Sequence, residues 1–255
     1  QVPTLLDYVR QINISGENSI AWNEVDGTTD ASAIVAIGDG KPIRNFDHVT
    51  HTAAGSTLAV IGKLPNQYAK AISMLADIYM NDMSKDLSRK LNATLVGVLA
   101  AGSDLSDLVT IPTVQAPQLI DAIRLVASAI QRKFPENRVV IALSQSALFA
   151  LDSVKDKNDS YVIFDFAAKG IDLVSMPIVD AVFTETSIIG MSQNVVRWYN
   201  DGIINKTSTE AYWANNQIGL MIEILNSAFV LRATDAEATV FDDYSTIISD
   251  MTAQP

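Results

Sequence analysis

Cysteine is absent from the 255 residues, which removes disulfides, thiolate metal sites and cysteine nucleophiles together. Histidine occurs only at His48 and His51. Three residues apart in a segment of strand character, the two point to opposite faces, so they are not expected to chelate a metal. No apolar run approaches the ~20 residues that cross a bilayer, and the opening QVPTLLDYVRQ lacks a signal-peptide pattern, so a soluble protein is expected. Basic residues are in deficit: 18 Lys and Arg against 29 Asp and Glu leave a charge of −11, which opposes a close embrace of nucleic acid. An initiator methionine is also missing. The chain begins at Gln1, which is expected to reflect either trimming or proteolytic loss of an N-terminal piece.

The usual signatures of catalysis are equally scarce. Gly38-Asp39-Gly40-Lys41 has the wrong glycine spacing for a phosphate loop, and Pro42 stands where Ser or Thr would bind the metal. There is no Gly-x-Ser-x-Gly elbow, and Asp242 and Asp243 are adjacent in sequence rather than set to face each other across a cleft. No common enzyme class is visible, and no cofactor or metal site is expected. Asn-x-Ser/Thr tripeptides at Asn13, Asn92, Asn158 and Asn205 are read as chance, because neither cysteines nor a signal sequence accompanies them.

What is present is a core. At 48% hydrophobic residues the chain can bury one large domain or two modest ones. The longest helical pattern runs from about Asn66 to Ala101, with no proline and one glycine, Gly97. Its apolar residues step at three- and four-residue spacing through Leu75, Ile78, Tyr79, Met83, Leu87, Leu91, Leu95 and Val98, which predicts one buried face. Asp77, Asn81, Asp82, Lys85, Arg89 and Asn92 form the polar face, with Asp86 and Lys90 as its attractive i,i+4 pair. Two ordinary helices broken near Asn81 to Ser84 are the alternative.

Before this helix, residues 1–18 carry a short amphipathic patch and read as an arm, and 19–64 read as a strand-rich ribbon. Between Asp26 and Ser56 the large apolar residues are Ile34, Val35, Ile37, Ile43, Phe46 and Val49, too few to bury both faces. A two-stranded hairpin alone is marginal in water, so the ribbon is expected to lie on something, a neighbouring subunit or its own domain. After the helix comes a connector. Pro117 is placed in the first turn of a second helix striped by Leu119, Ile123, Val126, Ala127 and Ile130, ending at Phe134 and Pro135. RVVIALS then reads as a buried strand, SQSALFALDSV as a short helix and YVIFDF as a strand, an α/β subdomain over roughly Thr113 to Gln193. AVFTETSIIGM and NVVRWYNDGI are strand-like. In NQIGLMIEILNSAFVL, Ile218, Leu220, Ile222 and Ile224 alternate with Gln217, Gly219, Met221 and Glu223, a strand with one buried face. The tail is expected to hold one short strand and then loosen.

This order of elements, with WNEVDGTTDASAIVAIGDGKPIRNFD, ALSQSALFALDSVKDKNDSYVI and EAYWANNQIGLMIEILNSAFVLR, resembles the major capsid proteins of tailed bacteriophages, of the Hong Kong 97-like fold. The resemblance is diffuse, covers nearly the whole chain and rests on the order of the elements. It implies an α+β capsid fold: an N-terminal arm (1–18), an extended β-hairpin loop (19–64), a peripheral domain with the spine helix (65–112), an α/β axial domain (113–195), and peripheral strands with the C-terminal tail (196–255). It also implies a structural, non-enzymatic subunit that builds hexamers and pentamers of an icosahedral shell around DNA, assembled in the host cytoplasm and ending in the virion. An acidic container that holds DNA without gripping it suits the charge. Portal, scaffolding, maturation protease and decoration proteins would be its partners, and proteolytic maturation would make Gln1 a cut site. An encapsulin-like compartment shares the fold and is the nearest alternative; a soluble α/β enzyme is the alternative from another class.

In part of that family a loop lysine joins an asparagine of a neighbouring subunit as an isopeptide, helped by a glutamate of a third. By position in the matching segments, Lys41, Asn216 and Glu223 fall at these three places. The amine must be neutral to attack, so desolvation must lower its pKa from ~10.4 while the carboxylate accepts the proton. Read without the resemblance, Lys41 is a solvated turn residue, Asn216 a cap at a strand start and Glu223 the polar side of an alternating strand.

Overall fold

The structure is a computed structural model that describes residues 4–14, 19–26, 47–71, 74–135, 137–153, 178–180, 186–212 and 215–252. A 3-10 turn, Leu5–Tyr8, leads into β1 (Arg10–Asn13), β2 (Ser19–Asp26), β3 (Asp47–Ala54) and β4 (Ser56–Pro65). Helices α1 (Asn66–Ala71), α2 (Leu75–Leu99), α3 (Leu105–Leu108) and α4 (Leu119–Lys133) follow. Next come β5 (Val139–Leu143), α5 (Gln145–Asp152), β6 (Ile178–Asp180), β7 (Ser187–Ser192), β8 (Arg197–Asn200), β9 (Ile203–Tyr212) and β10 (Gln217–Val230). A second 3-10 segment, Ala233–Ala238, precedes β11 (Thr239–Asp243) and α6 (Tyr244–Thr252). The segment YVIFDF, expected as a strand, lies outside the described residues.

The long helical pattern is divided, but not where the sequence placed the alternative break. α2 runs through Asn81 to Ser84 without interruption, and the division falls between Ala71 and Leu75. α1 is tied to the sheet instead: the Asn66 N–H donates to the carbonyl of Asn216, in the turn just before β10 (2.9 Å). In α2 the buried residues are Met83, Leu87, Leu91, Leu95 and Leu99. Ile78 and Tyr79, expected in the buried stripe, are 49% and 45% exposed; at this end of α2 Ala76 and Met80 are the residues packed against the core. On the polar face Asp86 pairs with Arg89 (3.2 Å) rather than with Lys90, and Lys85 with Asp82 (3.1 Å). Both are i,i+3 pairs on the exposed surface, so each stabilises by roughly 0.2–0.5 kcal/mol.

β10 is the centre of the larger sheet. Its first half, Gln217–Ile224, lies between β9 and β4, both antiparallel. A register shift between Ile224 and Ser227 then moves it onto β8, which it pairs through Ala228, Phe229 and Val230. Asn226 in the bulge has φ +49, the left-handed conformation that Asn tolerates. The predicted period of two is present: Leu220, Ile222 and Ile224 are buried against α2, and Glu223 is on the opposite face.

The smaller sheet has the order β11-β7-β5-β6 and is covered on both faces. Val139, Ile141 and Leu143 of β5 join the core built by α4 and α6, while Val140 and Ala142 join the core under α2. All five are therefore buried, which is why the segment is apolar without alternation. Gly190 of β7 allows the closest approach: a Cβ there would lie 2.4 Å from Val126 Cγ1 and 2.8 Å from Ile130 Cδ1 of α4.

Three local readings change. α4 begins at Leu119 with Gln118 as its N-cap, whose N–H donates to Asp121 Oδ2 (3.0 Å), so Pro117 precedes the cap instead of occupying the first turn. The connector after α2 contains α3, anchored by the fully buried Leu105. The tail does not loosen after β11. α6 buries Ile247 and Met251, four apart on one face, and Asp243 caps its start by accepting from the Ser245 N–H (2.8 Å).

Candidate assembly surfaces

The ribbon is the part of the fold least able to stand alone. β2 and β3 pair antiparallel from Ser19↔Ala54 to Asp26↔Asp47 and form a sheet of their own. β4, the next strand, belongs to the larger sheet. The ribbon root packs through Ile20, Trp22 and Ala53 on Tyr199, Val230, Ile12, Ile14 and Ala228. Gly55 joins β3 to β4 at a close backbone contact: a Cβ there would sit 2.8 Å from the Asn226 Cα in the β10 bulge.

Charge is concentrated at the same root. Glu24 is buried although it is a carboxylate on a two-stranded ribbon. It accepts from Trp22 Nε1 (2.9 Å), and His51 Nε2 lies 3.9 Å from its other oxygen. Trp22 and His51 stack with ring centres 5.7 Å apart. From the body, burial raises the Asp235 pKa above its ordinary value; the neighbouring Arg232 and Arg197 lower it again and the Glu24 charge adds to the rise. The Nε atoms of Arg197 and Arg232 are buried with no hydrogen-bond partner among the described residues.

Of the three residues assigned to a crosslink, Lys41 lies outside the described residues. Asn216 is exposed in the turn before β10, at φ +54, and its Oδ1 accepts from Asn66 Nδ2 (3.4 Å). Glu223 is half-buried in mid-strand, opposite Ala59 and Ile204. The two are seven residue steps apart along the strand, roughly 24 Å, so one subunit does not bring them together. No pattern in the sequence marks Glu24, Arg197, Arg232 and Asp235 as a group.

Exposed apolar residues mark further surfaces. Tyr68, Met74, Ile78 and Tyr79 cluster in sequence where α1 gives way to α2; Ile61 and Ile203 lie on the larger sheet, and Phe149 on α5 is 73% exposed. Between α2, the first 3-10 turn and β8–β10 runs a groove of about 540 Å³ with an apolar floor that includes Leu87, Leu91, Trp198 and Ile222. Among the described residues no helix is long and apolar enough to cross a membrane, and no group of three or more His, Asp or Glu is placed to hold a metal ion.

This architecture, a spine helix on a long sheet, a two-stranded ribbon packed at the sheet's side and a compact α/β unit, is the capsid fold that the sequence led us to expect. It superposes on a solved structure from Mycobacterium phage Cain with TM-score 0.70 at 12% identity, over 95% of this chain and 90% of that one. A structure from Microbacterium phage Oxtober96 gives 0.70 and 12% identity over 95% and 92%. The capsid of a native GTA particle gives 0.58 and 12% identity over 93% and 88%. No family model matches the sequence, and no curated protein does.

Proposed function

We propose that this chain is a major capsid protein, a structural subunit that assembles with copies of itself into an icosahedral shell enclosing the DNA genome of a tailed bacteriophage. The observation that carries the reading is the likeness of fold over 93% of the chain to a GTA capsid, with end-to-end likeness to phage structures beside it. The molecule supports it physically. A ribbon with too few apolar residues to bury itself and large apolar side chains left uncovered on α2, β4 and α5 suit a subunit whose burial is completed by neighbours. The charge of −11 suits an enclosure that holds DNA without gripping it.

Electron microscopy of the expressed chain tests this. Closed shells containing nucleic acid support the phage reading; shells filled with protein cargo assign the fold to an encapsulin-like compartment; small oligomers alone refute both. Portal, scaffolding, protease and decoration proteins belong to the same proposal, and co-purification with particles is their test.

The crosslink is the finer part of the proposal. Asn216 is exposed at a turn, where a neighbour's amine can reach it, and Glu223 stands partly shielded on another stretch of β10. The neutral Lys41 amine of one subunit attacks the Asn216 side-chain carbonyl of another, and Glu223 of a third takes a proton from the attacking nitrogen and delivers it to the amide nitrogen, which leaves as ammonia as the isopeptide bond forms. Mature particles boiled in SDS should give ladders that Lys41→Ala abolishes. A single monomer band from wild type refutes the bond.

A further inference from the structure

When an amine adds to the Asn216 side-chain carbonyl, Oδ1 takes on negative charge, and an N–H donor already aimed at that oxygen stabilises it. Asn66 supplies such a donor. Its backbone N–H donates to the main-chain carbonyl of Asn216 (2.9 Å), and its side-chain Nδ2 donates to Asn216 Oδ1 (3.4 Å). Both carbonyls of one residue are thus held by the two nitrogens of the other. The fold brings the pair together. Asn66 opens α1 directly after Pro65, the last residue of β4, and Pro65 lies opposite Gln217, the first residue of β10. Asn216 itself is exposed and sits at φ +54, the left-handed conformation that asparagine tolerates.

Resting on the crosslink reading, we propose that Asn66 is a catalytic residue of that reaction: its side-chain N–H is the oxyanion donor to Asn216 Oδ1, supplied by the same subunit. At 3.4 Å the resting bond is longer than is usual for a neutral N–H···O pair, about 2.9–3.0 Å. Bonds to a charged oxygen close to about 2.7–2.9 Å, so the donor gains strength as the tetrahedral intermediate forms. A contact that is weak on the resting amide and strong on the oxyanion lowers the barrier instead of only holding the substrate. The backbone bond keeps the donor in place throughout. Asn66 neither gives nor takes a proton: the lysine nitrogen bonds to the Asn216 side-chain carbon, its proton goes by way of Glu223 to the departing nitrogen, and the carbonyl re-forms as ammonia leaves.

The test follows formation of the Lys41–Asn216 bond in assembling particles, by SDS gel and by the mass of the joined peptides. Asn66→Ala keeps the backbone N–H and removes the donor, and should slow the bond by about tenfold or more. Asn66→Asp fills the same space and can still hold the Asn216 amide by accepting from its Nδ2, but it sets a carboxylate against the developing charge. It should be slower still, by about a hundredfold. A variant that builds no shells alone is isotope-labelled and mixed as a minority into wild-type subunits, and the joined peptide carrying labelled Asn216 is followed. An Asn66→Ala rate within about threefold of wild type overturns the proposal and leaves the bond itself standing. So does an Asn66→Asp rate equal to wild type, because the side chain would then serve only to position Asn216. Wild-type particles that never join remove the crosslink and this role with it.

Discussion

Gly190→Ala puts the packing between α4 and the smaller sheet to a quantitative test. The new methyl would lie 2.4 Å from Val126 Cγ1 and 2.8 Å from Ile130 Cδ1, where carbon atoms rest at about 3.5–4.0 Å. Ile130 can withdraw the end of its side chain. Val126 cannot, since a β-branched residue in a helix has essentially one χ1 rotamer. Both are fully buried, so α4 itself must move away from β7. Overpacking costs about 1–3 kcal/mol, and this geometry belongs at the top of that range, about 3 kcal/mol. In a domain of this size that lowers Tm by roughly 6–12 °C, measured by thermal melting of unassembled subunit. Val126→Ala alone loses two buried carbons and leaves a cavity, about 2 kcal/mol. In the double variant the cavity receives the methyl, so the total should stay near 2–3 kcal/mol rather than reach about 5. A Gly190→Ala subunit within about 0.5 kcal/mol of wild type, or a strictly additive double variant, would refute the reasoning.

Leu95→Ala, at the fully buried centre of α2, should cost about 2–5 kcal/mol in urea denaturation, whereas Tyr79→Ala should stay within about 0.5 kcal/mol yet reduce the yield of shells on sizing. Arg89→Glu removes an exposed pair that contributes well under about 1 kcal/mol, so folding should be nearly unchanged; if assembly is also unchanged, the polar face of α2 meets no neighbour. Asp235 and Asp243 should show opposite pH behaviour. The raised Asp235 pKa means that its ionisation opposes folding as pH rises from the ordinary 3.8 through the raised value, so Asp235→Asn should gain on wild type over that interval. Burial works to raise the Asp243 pKa, but hydrogen bonds from Ser245, Thr186 and the Thr246 N–H outweigh it and hold it low. Wild type should exceed Asp243→Asn above 3.8 and lose that advantage as pH falls through the lowered value; parallel curves in urea midpoint would contradict both assignments.

The parts of the fold legible in the sequence are those whose burial is decided by a single element's own period. β10 alternates because one face meets α2, and α4 shows its stripe because one side meets the smaller sheet. Where a partner distant in the chain decides, the reading went astray. Ile78 and Tyr79 continue the stripe of α2 chemically, but at that end the helix turns Ala76 and Met80 to the core instead. α1 is tied to the sheet by the hydrogen bond from Asn66 to Asn216, which no local pattern announces. α6 was hidden because its apolar face is only Ile247, Ile248 and Met251, too brief to separate from a frayed tail. At the candidate sites, Asn216 and Glu223 were assigned through resemblance, whereas the burial of Glu24 was not legible, because in sequence it looks like any polar residue of a strand.

The switch of β10 from β4 and β9 onto β8 governs how a pull on the ribbon travels. Tension on β3 passes through Gly55 into β4, which runs antiparallel along β10 from Ser56↔Ser227 to Gln217↔Pro65. The strand is drawn along its own axis, so its hydrogen bonds are sheared together instead of opening one after another. β8 then hands the strain to β1 and the α2 core. A 14-residue strand with partners on both flanks thus acts as the tie rod of the subunit, and the ribbon can be tugged by neighbours without the body unravelling from its edge.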